Sequence, residues 1–357
     1  MSGRRPVRAI FALVLVAGVA AAVGLSVAMP RGDQADELDT RTVDVVRTTD
    51  PPAPARVTHD DPKPVSSTPL AARVEDLLRK NDAVGAARVL AAADPAELKV
   101  PVVRDRAFDT ADALVAAAHA ASDASATSMR LDARRIFASL FSRDDATDAE
   151  TLRAFNSCTK LHQALLFGNG APESLVLRHK FAPGESVWAL AKSAWKQRGV
   201  TVPAGFVLHM NGIADARRVR AGQTLRVPLE RLRVLIRKSR YELAVMLGEA
   251  PLERFAIAIG TDATTPSGVF RVRDRIKNPD WYFHGRRIPF GDPQNIIGTR
   301  WIGLTGSAAI EGIGIHGTTD DASIGKAASM GCVRMHNADV EKLFEWLDAG
   351  VEVEIRD

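Results

Sequence analysis

The 357-residue chain predicts an α+β multidomain protein, and three stretches carry that prediction. Residues 68–168 are alanine-rich with apolar side chains recurring at helical spacing. Residues 169–229 read as a small βααβ module, and residues 230–357 break into short apolar runs bounded by turn residues, as a β-rich fold does. A hydrophobic content of 46% is enough to build packed cores and excludes a disordered chain.

Residues 1–30 place Arg4, Arg5 and Arg8 ahead of an uncharged run, 9–29, long enough to cross a hydrocarbon core of about 30 Å as a helix. The expectation is an N-terminal membrane helix acting as a signal anchor, with the rest of the chain in the periplasmic or extracytoplasmic space. Ser26-Val-Ala28 also fits a small-x-small cleavage site, so secretion after signal-peptide cleavage is the alternative. Residues 31–67 are polar and carry Pro51, Pro52, Pro54, Pro62 and Pro64; they form a linker that cannot bury a core.

Within 68–168, Leu70, Val74, Leu77 and Leu78 recur at helical spacing, as do Leu131, Phe137, Leu140 and Phe141 farther on. Four to six helices in antiparallel pairs are expected, an all-α helical-hairpin domain. Cys158 reads as a small buried residue of one of these helices. The net charge of +4 is concentrated between residues 175 and 241, where fourteen Lys or Arg face three acids, which suits an anionic partner. Neither a zinc pattern nor a helix-turn-helix signature accompanies that excess, so nucleic acid is not expected. In the module, Pro183-Gly-Glu-Ser186, Asn211-Gly212 and Gly222-Gln mark turns between strand and helix ends.

The C-terminal runs Leu232–Ile236, Leu243–Leu247 and Arg254–Ile259 are strand-like, and residues 277–294 read as an aromatic- and proline-rich loop. The chemistry lies farther on, in residues 316–337. Ile313-Gly-Ile315 alternates as a strand and delivers His316 at its end, while Ser329-Met330-Gly331 supplies the tight turn before Cys332. Asn337 reads as the N-cap of a closing helix, with Val340, Leu343, Phe344 and Leu347 as its buried stripe. A nucleophilic cysteine needs a base or a positive neighbour, and His316 is the nearest candidate. Gly317 and Gly331 would let backbone N–H groups approach an acyl oxygen. The bland reading of the pair is a buried structural cysteine and a packed histidine.

Ile313-Gly-Ile-His-Gly-Thr318, Ala327-Ala-Ser-Met-Gly-Cys-Val-Arg-Met335, Asn337-Ala-Asp-Val340 and the earlier Thr265-Pro-Ser-Gly268 and Asn295-Ile-Ile-Gly298 stand in one order. In that order they resemble the catalytic domain of the YkuD-type L,D-transpeptidases, over 230–357. The resemblance implies a mixed β-sandwich, Cys332 as nucleophile, His316 as base and Gly317 as the residue whose carbonyl orients that base. Many members carry a second histidine where Met330 stands here. Arg334 is the candidate for holding a substrate carboxylate, with Ser329, Met330 and Gly331 as further substrate contacts. The module resembles a lysin motif (LysM), which implies glycan contacts at Gly184, Glu185, Ser186 and Asn211. Together these imply peptidoglycan L,D-transpeptidation through a thiol acyl-enzyme, with stem peptides and glycan strands as partners and carbapenem β-lactams as inhibitors. A non-catalytic wall-binding protein and an L,D-carboxypeptidase are the alternatives. No cofactor or metal is expected, because no carboxylate-rich ligand motif accompanies His316, Cys332 and His336.

Overall fold

Thr68 opens the first helix, its hydroxyl accepting the Ala71 N–H at 3.2 Å while Pro69 presets the first helical turn. The computed structural model describes residues 68–168, 170–199, 202–306 and 312–357, and the expected membrane helix at 1–30 and linker at 31–67 lie outside them. Among the described residues no helix is long and apolar enough to cross a membrane. Five helices follow one another: α1 (Pro69–Arg79), α2 (Ala83–Ala91), α3 (Pro101–Ala117), α4 (Asp123–Phe141) and α5 (Asp148–His162). Asp82 caps α2 through the Gly85 N–H, and Thr147 and Glu150 form a reciprocal capping box on α5. The buried faces of these helices meet around Val74, Phe108, Leu114, Phe137 and Phe141, where the alanines admit close helix packing.

The module has the expected order: β1 (Val176–Lys180), α6 (Val187–Arg198), α7 (Ala204–Met210) and β2 (Thr224–Pro228), with β1 antiparallel to β2. It has its own small core of Phe181, Leu190, Val207, Leu225 and Val227. It is nevertheless seated on the C-terminal domain. A side chain on Gly205 would drive its Cβ to 1.7 Å from the Glu345 carbonyl oxygen, so only glycine permits that approach.

The remaining strands are β3 (Leu232–Arg237), β4 (Glu242–Leu247), β5 (Ala250–Gly260), β6 (Gly268–Lys277), β7 (Trp281–Phe283), β8 (Arg286–Ile288), β9 (Arg300–Gly306), β10 (Gly314–His316), β11 (Ala327–Ser329) and β12 (Val333–Met335). Helix α8 (Asn337–Trp346) and strand β13 (Glu352–Arg356) complete the chain. Eight strands join in the order β5-β12-β10-β9-β6-β13-β3-β4, and β4 pairs back onto β5, so the ladder closes on itself where separate sandwich sheets were expected. Closure is possible because β5 is eleven residues long: Ala250–Ala256 faces β4, and its far end reaches β12 and β11. A closed ladder leaves few unpaired edges. Val234, Val245, Ile302, Ile315, Val333 and Val353 are buried in one core, with Val340, Leu343 and Phe344 of α8 packed in the same cluster. Residues 277–294, read as a loop, hold the β7–β8 hairpin, whose turn is made by His284 (φ 47°) and Gly285 (φ 75°).

Candidate active site

Parallel pairing of β10 with β12 brings the two halves of the site together. Ile315 opposes Val333 and His316 opposes Arg334, so Cys332, one residue ahead of β12, lies beside the Gly314 end of β10. The fifteen residues between His316 and Cys332 are the crossover that parallel strands require.

His316 is buried at 5% exposure and stacked on Trp301, with ring centroids 5.9 Å apart. Its Nδ1–H donates to the Gly317 carbonyl at 2.6 Å, which leaves Nε2 as the unprotonated nitrogen. Burial pushes its pKa down to about 4; the Gly317 carbonyl opposes this, the Arg334 charge adds to it and the Ile297 backbone carbonyl opposes it. The ring is therefore a neutral base at pH 7 that has two carbonyls ready to receive an imidazolium. The Cys332 thiol donates to the Gly312 carbonyl at 3.5 Å. Burial raises its pKa, while a backbone hydrogen bond from Gly314 and the Arg334 charge act in the opposite sense and favour the thiolate. Among the described residues no hydrogen bond links Sγ directly to His316, so thiol and imidazole rest as a neutral pair on adjacent strands.

The turn before Cys332 is held by its own side chains. Ser329, 4% exposed, donates from Oγ to the Cys332 carbonyl at 2.5 Å and accepts the Gly331 N–H at 3.1 Å. Its hydroxyl thus shapes the turn instead of facing substrate, and the Gly331 N–H expected to meet an acyl oxygen is already engaged. Gly331 has φ 132°, and Thr265 Oγ1 donates to its carbonyl at 2.9 Å while accepting the Gly260 N–H at 2.7 Å. Met330 stands at the tip with 67% exposure. Arg334 is half-buried, makes no ion pair among the described residues and leaves its Nε without a partner. An unpaired guanidinium beside the thiol is a receptor for an anion.

Sequence reasoning did not find Thr265, Trp301, the Ile297 carbonyl or the Gly314 N–H. The first was visible only inside a family motif, and the backbone groups carry no side-chain signal at all. His336 pairs its Nδ1 with Asp321 at 2.8 Å on the surface, apart from the thiol chemistry. In the module, Glu185 accepts from Ala182 N–H and His179 at 2.8 Å each, and Ser186 accepts the Ala189 N–H. Asn211 bonds the Val207 and Arg226 carbonyls and the Arg226 N–H. These polar side chains hold the module's own turns together, and the Gly184 turn, at φ 77°, is open to solvent.

The family model for the L,D-transpeptidase catalytic domain matches residues 231–355. YqjB of Bacillus subtilis (strain 168), named as an L,D-transpeptidase, is 40% identical over 126 residues, which is 35% of this chain and 70% of that protein. YkuD of Bacillus licheniformis, named likewise, is 29% identical over 187 residues, covering 50% of this chain and 99% of that protein. A crystal structure of an L,D-transpeptidase from Mycobacterium tuberculosis H37Rv aligns at 14% identity and a TM-score of 0.30, over 39% of this chain and 75% of that one. With the catalytic-domain model matched from 231 to 355 and YqjB matched over 70% of its length, the chain belongs to the YkuD-type L,D-transpeptidase family.

Proposed function

We propose that the protein is a peptidoglycan L,D-transpeptidase that works through a Cys332 thioester. The observation that carries this reading is the strand register, which sets His316 opposite Arg334 and places the thiol immediately ahead of them. In the proposed cycle the sulfur attacks the carbonyl of the third residue of a donor stem peptide while His316 Nε2 takes the thiol proton. The imidazolium then protonates the departing D-alanine amine, leaving the acyl group on sulfur. A side-chain amine of a second stem displaces the thiol and forms a 3→3 cross-link; water in the same position gives the carboxypeptidase outcome. Arg334 would hold a stem carboxylate. The Gly317 carbonyl fixes the ring tautomer throughout, and Met330 would border the cleft from its exposed position.

The basic βααβ module reads as a lysin-motif-type contact to glycan, supported by its element order, its charge excess and Trp188, 58% exposed on α6. Because Glu185, Ser186 and Asn211 are internally bonded, recognition would fall to the backbone of the Gly184 turn and to Trp188. The N-terminal run would anchor the enzyme in the membrane with its catalytic domain outside the cytoplasm. Incubation with a carbapenem followed by intact-mass measurement tests the thioester chemistry. A single adduct on the wild type, absent in Cys332→Ala, is expected; folded wild-type protein without an adduct would overturn the enzyme reading in favour of a wall-binding protein.

A further inference from the structure

We propose that Asn337 is the positioning residue for the base, a single carboxamide that ties the loop whose Gly317 carbonyl accepts the His316 Nδ1–H to the neighbouring Gly298–Thr299 turn. The inference rests on the reading of His316 as base. From the sequence Asn337 reads as the N-cap of α8, but the cap is His336, and Asn337 is the first helical residue with its side chain free for another task. Its Nδ2 donates to the Thr318 carbonyl at 2.8 Å, and its Oδ1 accepts the Thr299 N–H at 3.1 Å. Thr318 directly follows Gly317, the acceptor of the His316 Nδ1–H. Thr299 lies two residues after Ile297, whose carbonyl is the other backbone group favouring the charged ring. A carboxamide donates to one turn and accepts from the other at once; a carboxylate would set a second acceptor against the Thr318 carbonyl.

Both turns are glycine where the carboxamide touches them. A Cβ on Gly317 would lie 2.1 Å from Asn337 Oδ1, and one on Gly298 would lie 2.3 Å from it. Gly298 needs glycine in any case, because its φ is 72°. Gly317 has no left-handed backbone to explain it, so the side chain it lacks is excluded chiefly by Asn337. The closing helix is thereby wedged between the base loop and the Gly298 turn, and it transmits its own rigidity to the imidazole.

A stitch that only stabilised the loops would leave the ring's tautomer and the rate per folded molecule unchanged, and that difference defines the test. Asn337→Ala, checked for folding by circular dichroism, is expected to slow carbapenem acylation of Cys332 by about 10- to 100-fold, the usual loss when an outer partner of a working histidine is removed. Imidazole ¹⁵N chemical shifts of His316 should change from a single Nδ1–H tautomer to a mixture. Gly317→Ala, whose methyl displaces the carboxamide, should reproduce both effects, and the double variant should be no slower than the slower single one. An Nδ1–H tautomer and a rate within about twofold of wild type in either folded variant would overturn the proposal. Failure of the base assignment itself would appear separately, as wild-type acylation by His316→Ala.

Discussion

The molecule holds two cysteines with a histidine and an arginine nearby, and only one of the two sets is arranged for chemistry. On α5, Cys158 and His162 are one helical turn apart, both buried, and both touch Arg134: Sγ at the Arg134 carbonyl, 4.0 Å away, and Nε2 accepting from the guanidinium at 3.0 Å. Burial pushes the Cys158 thiol up to about 12 and His162 down to about 3, and Arg134 is fully engaged with Glu230 and the Leu247 carbonyl. At the barrel, Cys332 receives a backbone hydrogen bond from Gly314, His316 donates to the Gly317 carbonyl, and Arg334 has no ion-pair partner among the described residues. The residue types match in the two places. What separates them is backbone polarity aimed at the reacting atoms, together with a positive charge left unpaired.

The largest expected contrast is in thiol reactivity. Native protein treated with iodoacetamide should be labelled at Cys332, whereas Cys158 should react about 10³-fold more slowly or less, because it requires opening of the helical core. Comparable labelling of both in folded protein would erase the distinction. Exchanging the arginines tests it from the other side. Arg134→Ala strands Glu230 and should cost about 3 kcal/mol in denaturant unfolding, the low end for a buried pair because Glu230 is partly solvated, with acylation per folded molecule unchanged. Arg334→Ala should leave the unfolding midpoint nearly unchanged and lower kcat/KM on a stem tetrapeptide by about 10²-fold, a loss of roughly 2–3 kcal/mol for a charge-assisted contact. A stability loss in Arg334→Ala as large as that in Arg134→Ala would mean that Arg334 is structural.

The smallest effect is in pH, where the two histidines should separate activity from stability. Because His316 titrates at about 4 when folded, acylation should stay level from pH 7 to about 5 and fall through pH 4, well below the range of an unperturbed imidazole. Folding stability behaves differently. Both histidines have folded values below their unfolded value, so the stability they contribute is fully present above about pH 6.5 and is lost as pH falls toward 4 for His316 and 3 for His162. Melting temperatures that hold steady from pH 6.5 to 4 while acylation falls across pH 6.5 would reverse the assignment.

The seams between regions carry a related lesson. The helices meet the barrel through arginines: Arg134 at Glu230, Arg237 at the Phe141 carbonyl and Arg240 at Thr151. The module meets it through Gly205, the Phe206–Trp346 ring contact and the Ala204 N–H on Asp348. The sequence suggested separable domains joined in series, because apolar periodicity reports only that a face is buried and not what covers it. Arg237 illustrates the limit: a charged residue inside a strand-like run gives no hint that Glu242 and a helix carbonyl will receive it at 1% side-chain exposure.

By itself the sequence determined what local rules can reach: the helical periodicity from residue 68, the βααβ order and the strand ends that deliver His316 and Cys332. Hydrophobic spacing, capping residues and glycine turns act within a few residues and are written in the chain. Tertiary structure alone decided the pairing of β5 with β12 that closes the ladder and the turning of Asn337 from cap to clamp. Each of those depends on backbone N–H and carbonyl groups brought together from distant segments, and every residue carries the same backbone groups, so no pattern of side chains could announce them.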